Sequence, residues 1–179
     1  MAMQQQSIQT VRELFAFGLS EMYDCENRIL QQLPSLINEI NDPDVQAILQ
    51  HHQQETQQQV GLLQQCFRLL GTQPQPVTCA VLEGFRQEHE AFLRTSPASG
   101  ILTLFDVNAG TKIESFEITS YRLLIATACQ LGLNEIQRLL MDIQRQEEDA
   151  GHKLERAGYL LTAKQVQANV PPAGRRRVA

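Results

Sequence analysis

The stretch VQAILQHHQQETQQQVGLLQQCFRL, residues 45–69, decides the fold. At alternating spacings of three and four its seam reads Val45, Ile48, His52, Glu55, Gln59, Leu62, Cys66, Leu69. That is the period of an amphipathic helix, not of a strand. Both ends of the seam are apolar and its middle three positions are polar. An inward face that turns polar at mid-length implies a site inside a packed helical core. Asn41-Asp42-Pro43 stops the chain before this helix, with Asp42 as a cap and Pro43 at the first position, and Gly71 closes it.

Outward from this segment the same period recurs. Thr10-Val-Arg-Glu13 reads as a capping box opening a first helix. Its apolar positions are Val11, Leu14, Phe15, Leu19, Met22, Ile29, Leu33, Leu36 and Ile40, with Pro34 kinking it but not ending it. Residues 72–99 form a long crossover carrying one short helix at about 79–94. A third long helix spans about 101–131 and ends at Gly132, with the stripe Leu104, Asn108, Thr111, Glu114, Glu117, Tyr121, Leu124, Ala128, Leu131. The fourth, opened by Asn134-Glu-Ile-Gln137, has the stripe Ile136, Leu140, Ile143, Glu147, Ala150, Leu154, Ala157, Leu161. No strand-like alternation competes. The expected fold is all-α: a ferritin-like four-helix bundle over residues 10–164, with a long crossover carrying one additional short helix. Residues 1–9 and 165–179 are expected to be flexible ends.

Four glutamates, Glu26, Glu55, Glu117 and Glu147, fall on the inward stripes of four different helices, and His52 and Glu114 join them. Burying such carboxylates without a balancing Lys or Arg costs several kcal/mol per ion, whereas a bound multivalent cation removes the objection. The bland alternative, glutamates on helix flanks reaching solvent, accounts for any one of them but poorly for all four at mid-height. The pattern therefore points to a dinuclear metal site with ligands Glu26, His52, Glu55, Glu114, Glu117 and Glu147. Carboxylate oxygens with imidazole suit two Fe or Mn ions. His51 lies one residue off the seam, and His89 reads as a packing or surface residue. His152, with Glu148 and Asp149, lies off the stripe. Tyr121 is read first as a core tyrosine and second as a hydrogen-bond partner of a ligand.

The bulk numbers set limits. The chain of 179 residues suits one domain. A net charge of -5 gives no footprint for nucleic acid. No run of about 18 apolar residues could span a membrane, and the Gln-rich start lacks the features of a secretory signal. Four widely spaced cysteines without C-x-x-C argue against a zinc ribbon or thioredoxin-like motif, so a reducing cytoplasm is expected. Cys66 and Cys129 are read as small buried hydrophobes.

Leu19-Ser-Glu-Met-Tyr-Asp-Cys-Glu26 with Leu33-Pro34, His52-Gln-Gln-Glu55-Thr56, Lys112-Ile-Glu114-Ser-Phe-Glu117-Ile-Thr-Ser-Tyr121, Gln130-Leu-Gly132 and the run from Leu139-Leu140 to Glu147 together resemble the YciF-like bacterial stress proteins, a branch of the ferritin-like superfamily. The resemblance covers about residues 10–160. It implies a ferritin-like bundle, a homodimeric tendency and a carboxylate-bridged dinuclear site. Gln59 stands where many relatives carry His, Ser115 replaces the usual His between the paired glutamates, and Ala150-Gly151 stand where relatives often carry Thr-Asp, so nitrogen donors are fewer here. The expected function is a stress-response protein with a di-metal centre able to react with dioxygen or peroxide. Its rivals are a non-catalytic helical dimer with an empty or vestigial site, and an iron-storing cage.

Overall fold

The structure is a computed structural model that describes residues 7–168. Among these residues there are five helices and no strand: α1 Val11–Glu39, α2 Pro43–Leu70, α3 Ala80–Leu93, α4 Ser99–Gln130 and α5 Asn134–Ala168. None is long and apolar enough to cross a membrane.

Local chemistry sets the ends. Thr10 and Glu13 form the capping box: Thr10 Oγ1 accepts from the Glu13 N–H at 3.2 Å, and Glu13 Oε2 accepts from the Thr10 N–H at 2.8 Å. Asp42 Oδ1 accepts from the N–H groups of Asp44 and Val45, and Pro43 opens α2 where its missing N–H costs nothing. Gly71 and Gly132 end α2 and α4 at φ of 74° and 69°, a left-handed conformation that glycine adopts without strain. Pro34 stays inside α1, which runs on to Glu39.

The helices pack as α1 on α2, α2 on α5, α5 on α4 and α4 on α1, with α3 against α4. Two contacts fix the directions. Asn41 Nδ2 donates to Ser99 Oγ at 2.8 Å, placing the start of α4 beside the start of α2. Lys164 Nζ lies 3.5 Å from Asp42 Oδ2, placing the end of α5 there too. Thus α2 and α4 run the same way, α1 and α5 the other, and the crossover returns the chain along the length of α2.

Every residue of the stripe expected for α5 is buried. On α2 only half of the seam holds: Val45, His52, Gln59 and Cys66 are buried, but Leu49, Thr56 and Leu63 take the inward places expected for Ile48, Glu55 and Leu62. Leu69 is exposed. On α4 the stripe holds from Glu114 to Ala128, while Thr103, Asp106 and Val107 replace Leu104 and Asn108. Asp106 turns toward α3, where His89 Nδ1 lies 3.0 Å from its Oδ1 and gives that carboxylate a partner. Val11 and Leu14 are exposed, so the buried face of α1 begins at Phe15. Cys129 is also exposed, because Ala128 occupies the inward position and the next residue points about 100° away. Helix α5 continues through residues 165–168, which were expected to be flexible. Residues 7–9 precede α1 outside any helix, and the rest of both expected ends, residues 1–6 and 169–179 with Arg175-Arg-Arg177, lies outside the described residues.

Candidate metal centre

Each of the four long helices sends a carboxylate or imidazole to one level of the core. Glu26 of α1, Glu117 of α4 and Glu147 of α5 are 0% exposed; Glu114 and His52 are buried beside them. The three-residue spacing of Glu114 and Glu117 puts both on one face of α4. His52 Nε2 lies 3.5 Å from Glu114 Oε1. Atoms of His52, Glu114 and Glu147 gather within 4.8 Å of one another, close enough to share an ion.

The oxygens of this group are conspicuously unmatched. Glu26 Oε2, Glu114 Oε2, Glu117 Oε2 and both oxygens of Glu147 are sealed from water without a hydrogen-bond partner. No lysine or arginine pairs with these four glutamates among the described residues. Burial therefore pushes the carboxyls of Glu26, Glu117 and Glu147 well above their ordinary range, and mutual repulsion adds to it. Burial raises Glu114 to about 7 and depresses His52 to about 4, so the imidazole is neutral at pH 7, the form that ligates metals. Oxygen-rich, partnerless and holding one neutral nitrogen donor, this set fits hard or borderline divalent cations.

Two flanking groups hold the carboxylates. Tyr121 is wholly buried and donates its hydroxyl to Glu26 Oε1 at 2.5 Å, so its role is the hydrogen bond rather than packing alone. Cys25 Sγ lies 3.6 Å from Glu117 Oε1. A Tyr121→Phe variant should leave Glu26 with no donor at either oxygen and lower stability by about 1–3 kcal/mol. Urea denaturation reads this, and an unmoved midpoint would contradict the assigned role.

Glu55 departs from the sequence expectation. It is not in the core but at its edge, with 13% of its side chain exposed, because Thr56 takes the inward position. Its Oε1 faces His51 Nε2 at 3.3 Å, while Oε2 is shielded and partnerless. With exposed Asp149, which also pairs with Lys153, His51 and Glu55 form an outer group whose atoms again lie within 4.8 Å of one another. Glu55 thus stands between surface and interior. Sequence reasoning placed His51 and Asp149 outside the site, and it put Gln59 on the seam without a role. Gln59 is 0% exposed and neither of its amide atoms has a partner. Its position on a polar stretch of the seam was the signal available.

Comparison with known proteins follows the same lines. A family model described as a domain of unknown function (DUF892) matches residues 10–167. The protein YciF of Escherichia coli (strain K12) is 23% identical over 149 residues, which is 83% of this chain and 90% of YciF. Among solved structures, YcfI from Rhodopseudomonas palustris is 32% identical with a TM-score of 0.80, covering 85% of this chain and 97% of that one. The E. coli stress protein YciF matches with a TM-score of 0.82 at 22% identity, over 88% and 99% of the two chains, a likeness of fold.

Proposed function

The chain belongs to the DUF892 family, and from that premise we propose a ferritin-like stress-response protein that holds a dinuclear Fe or Mn centre. In this reading α1, α2, α4 and α5 make a ferritin-like four-helix bundle, and the protein is a cytoplasmic homodimer. The observation that carries the proposal is the convergence of Glu26, Glu114, Glu117 and Glu147, each with a sealed, partnerless oxygen and none paired with a lysine or arginine among the described residues.

Glu26, His52, Glu114, Glu117 and Glu147 would hold the ions in the interior, and Glu55 would close the site from the α2 side. Two such ions would supply redox capacity toward dioxygen or hydrogen peroxide. The protein's own part is positional. Tyr121 fixes one oxygen of Glu26 and leaves the other free for a ligand bond. Cys25 does the same for Glu117. The neutral His52 offers a lone pair, and the surrounding leucines and isoleucines exclude bulk water. Gln59 brings an amide oxygen where the family resemblance leads one to expect imidazole, which favours oxygen-rich coordination.

The same Gln59 is the one feature that favours the second reading, a non-catalytic helical dimer with an empty site, since it removes a nitrogen donor. Elemental analysis of the full chain, purified without heating and supplied with Fe or Mn, separates the two. About two ions per chain, absent from a Glu55→Ala/Glu117→Ala variant, together with peroxide consumption that follows metal content, is the expected result. Substoichiometric metal equal in both proteins would end the proposal.

A further inference from the structure

Away from the carboxylate core, α1, α3 and α4 enclose a cleft of about 380 Å³. That volume is within the range of small-molecule sites, about 300–1,000 Å³. Each helix turns one face to it, at spacings of three or four residues: Leu36 and Glu39 of α1, Phe85 and His89 of α3, Asp106 and Ala109 of α4. Helix α3 is anchored at both ends. At its start the Cys79 N–H donates to Asp24 Oδ2 on α1 at 2.8 Å. Near its end the Phe92 ring stacks on Phe105 of α4, with centroids 3.9 Å apart. Between the anchors packing is thin. Leu82 is the one buried residue of α3, and Ala109 and Gly110 of the α4 wall bring no bulk to fill the space.

The polar end of the cleft is short of donors. Asp106 is 5% exposed, and its Oδ1 lies 3.0 Å from His89 Nδ1. Its Oδ2 is shut off from water and has no partner among the described residues. In the neutral ring the Asp106 contact fixes the proton on Nδ1 and leaves Nε2 an acceptor. Glu39 receives the Ser35 hydroxyl at Oε1 and turns Oε2 toward His89 Nε2 at 3.9 Å. That gap is too long for a direct hydrogen bond and near the span that one nitrogen donor can bridge. Arg86 of the same wall is already held by Glu83 and Glu90. An anion would therefore meet Glu39, Glu90 and Asp106 with no unpaired cation on the wall to receive it. A metal ion fits poorly too, because the imidazole stands between Glu39 and Asp106, one carboxylate on each ring nitrogen, and keeps them from converging.

We propose that this cleft binds a small primary amine as its ammonium ion, with the head between Glu39 and His89 and an aliphatic or aryl body against Leu36, Phe85 and Ile113. Two of the three ammonium N–H groups serve Glu39 Oε2 and His89 Nε2, and the third faces the open side. Asp106 acts through the ring: it holds Nδ1–H, keeps Nε2 an acceptor, and leaves its own charge for the bound cation to balance. Burial pushes Asp106 up to about 6, against the lowering effect of His89, so at pH 8 it is ionised while the ammonium keeps its proton. The cleft shares no residue with the metal centre.

The test uses titration calorimetry and saturation-transfer NMR on the full chain at pH 8 and low salt. The probe is 2-phenylethylamine, with 3-phenylpropionate as its anionic and 2-phenylethanol as its neutral counterpart. A chelator is present, so no ion draws the amine to the core and failure of the metal reading cannot affect the result. The expected outcome is saturable binding of the amine at about 1 mM or tighter, the range open to a ligand of this size, and at least about tenfold weaker binding of the other two. Glu39→Gln removes a charged acceptor and should weaken the amine about tenfold or more. Ala109→Leu narrows the cleft and should abolish binding. Circular dichroism checks that both variants stay helical. No saturable binding by the parent, equal binding of the three probes, or amine binding unaltered by Glu39→Gln would overturn the proposal. So would binding seen only in an Arg175→Ser/Arg176→Ser/Arg177→Ser variant, which would give the cleft to the chain's own arginines.

Discussion

Stripped of metal, the protein should be more stable at pH 5 than at pH 8, and added Fe or Mn should reverse that order. The sign follows from the direction of the carboxyl shifts. A glutamate whose folded value is raised keeps its proton in the folded chain while the unfolded chain has released it. Stability is therefore greatest below the unfolded value of 4.5 and declines as pH rises toward the folded value. For Glu114, which burial lifts to about 7, the window is about pH 4.5–7. At about 1.4 kcal/mol per pH unit this group alone would contribute a loss on the order of 3 kcal/mol. Glu26, Glu117 and Glu147 move in the same direction and extend the decline to higher pH. A divalent ion binds the deprotonated carboxylates, so with metal present the same rise in pH strengthens the fold. Urea midpoints across this range, with chelator and with metal, measure both slopes. His52, depressed to about 4, opposes this decline up to its unfolded value of 6.5, so the test is read above that pH, where a flat profile in chelator would mean that the carboxylates do not carry the burial cost assigned to them.

Neutralising a single core carboxylate should separate stability from binding. In Glu147→Gln a carboxyl that must take up a proton to stay buried becomes a neutral amide, and that amide can donate to the partnerless oxygen of Glu114. Both changes favour the metal-free chain, and a gain on the order of 2 kcal/mol is expected. The same substitution takes a ligand from the interior group, so metal content should fall from about two ions per chain to one or fewer. The rise in melting temperature on adding metal should largely disappear. The variant would be sturdier and emptier, a trade that sites holding unfavourable charge commonly make. If it kept two ions per chain, Glu147 would not be a ligand. If it were less stable than the parent in chelator, burying the Glu147 carboxyl would not carry the cost assigned to it.

The sequence was most legible where apolar residues stand alone on a face. On α5 the inward residues Ile136, Ile143, Glu147 and Leu154 are each flanked by polar neighbours, which leaves the phase one solution, and the whole stripe is buried. On α2 the adjacent pairs Ile48-Leu49 and Leu62-Leu63 accept two phases, and both give regular spacings of three and four. The chain uses the phase with Leu49, Thr56 and Leu63 inward, which moves Glu55 to the edge. Only the choice between Glu55 and Thr56 distinguished the two, and the polar character of both hid it. The inward-facing glutamates of α1, α4 and α5 were legible because a carboxylate on an apolar stripe is anomalous by itself. The Asp106 and Cys79 positions were not, because each depends on where α3 lands, and a crossover carries no periodic signal for its own docking.

The long return of the crossover has a consequence for how the molecule is held together. Residues before it supply Glu26, His52 and Glu55, and those after it supply Glu114, Glu117 and Glu147, so the proposed ligands divide equally between two hairpins. Neither hairpin could saturate an ion alone. Metal would therefore act as a rivet between halves that the backbone joins only through residues 71–98. A chain nicked in that connector would keep its two pieces clasped for as long as the rivet stayed in place.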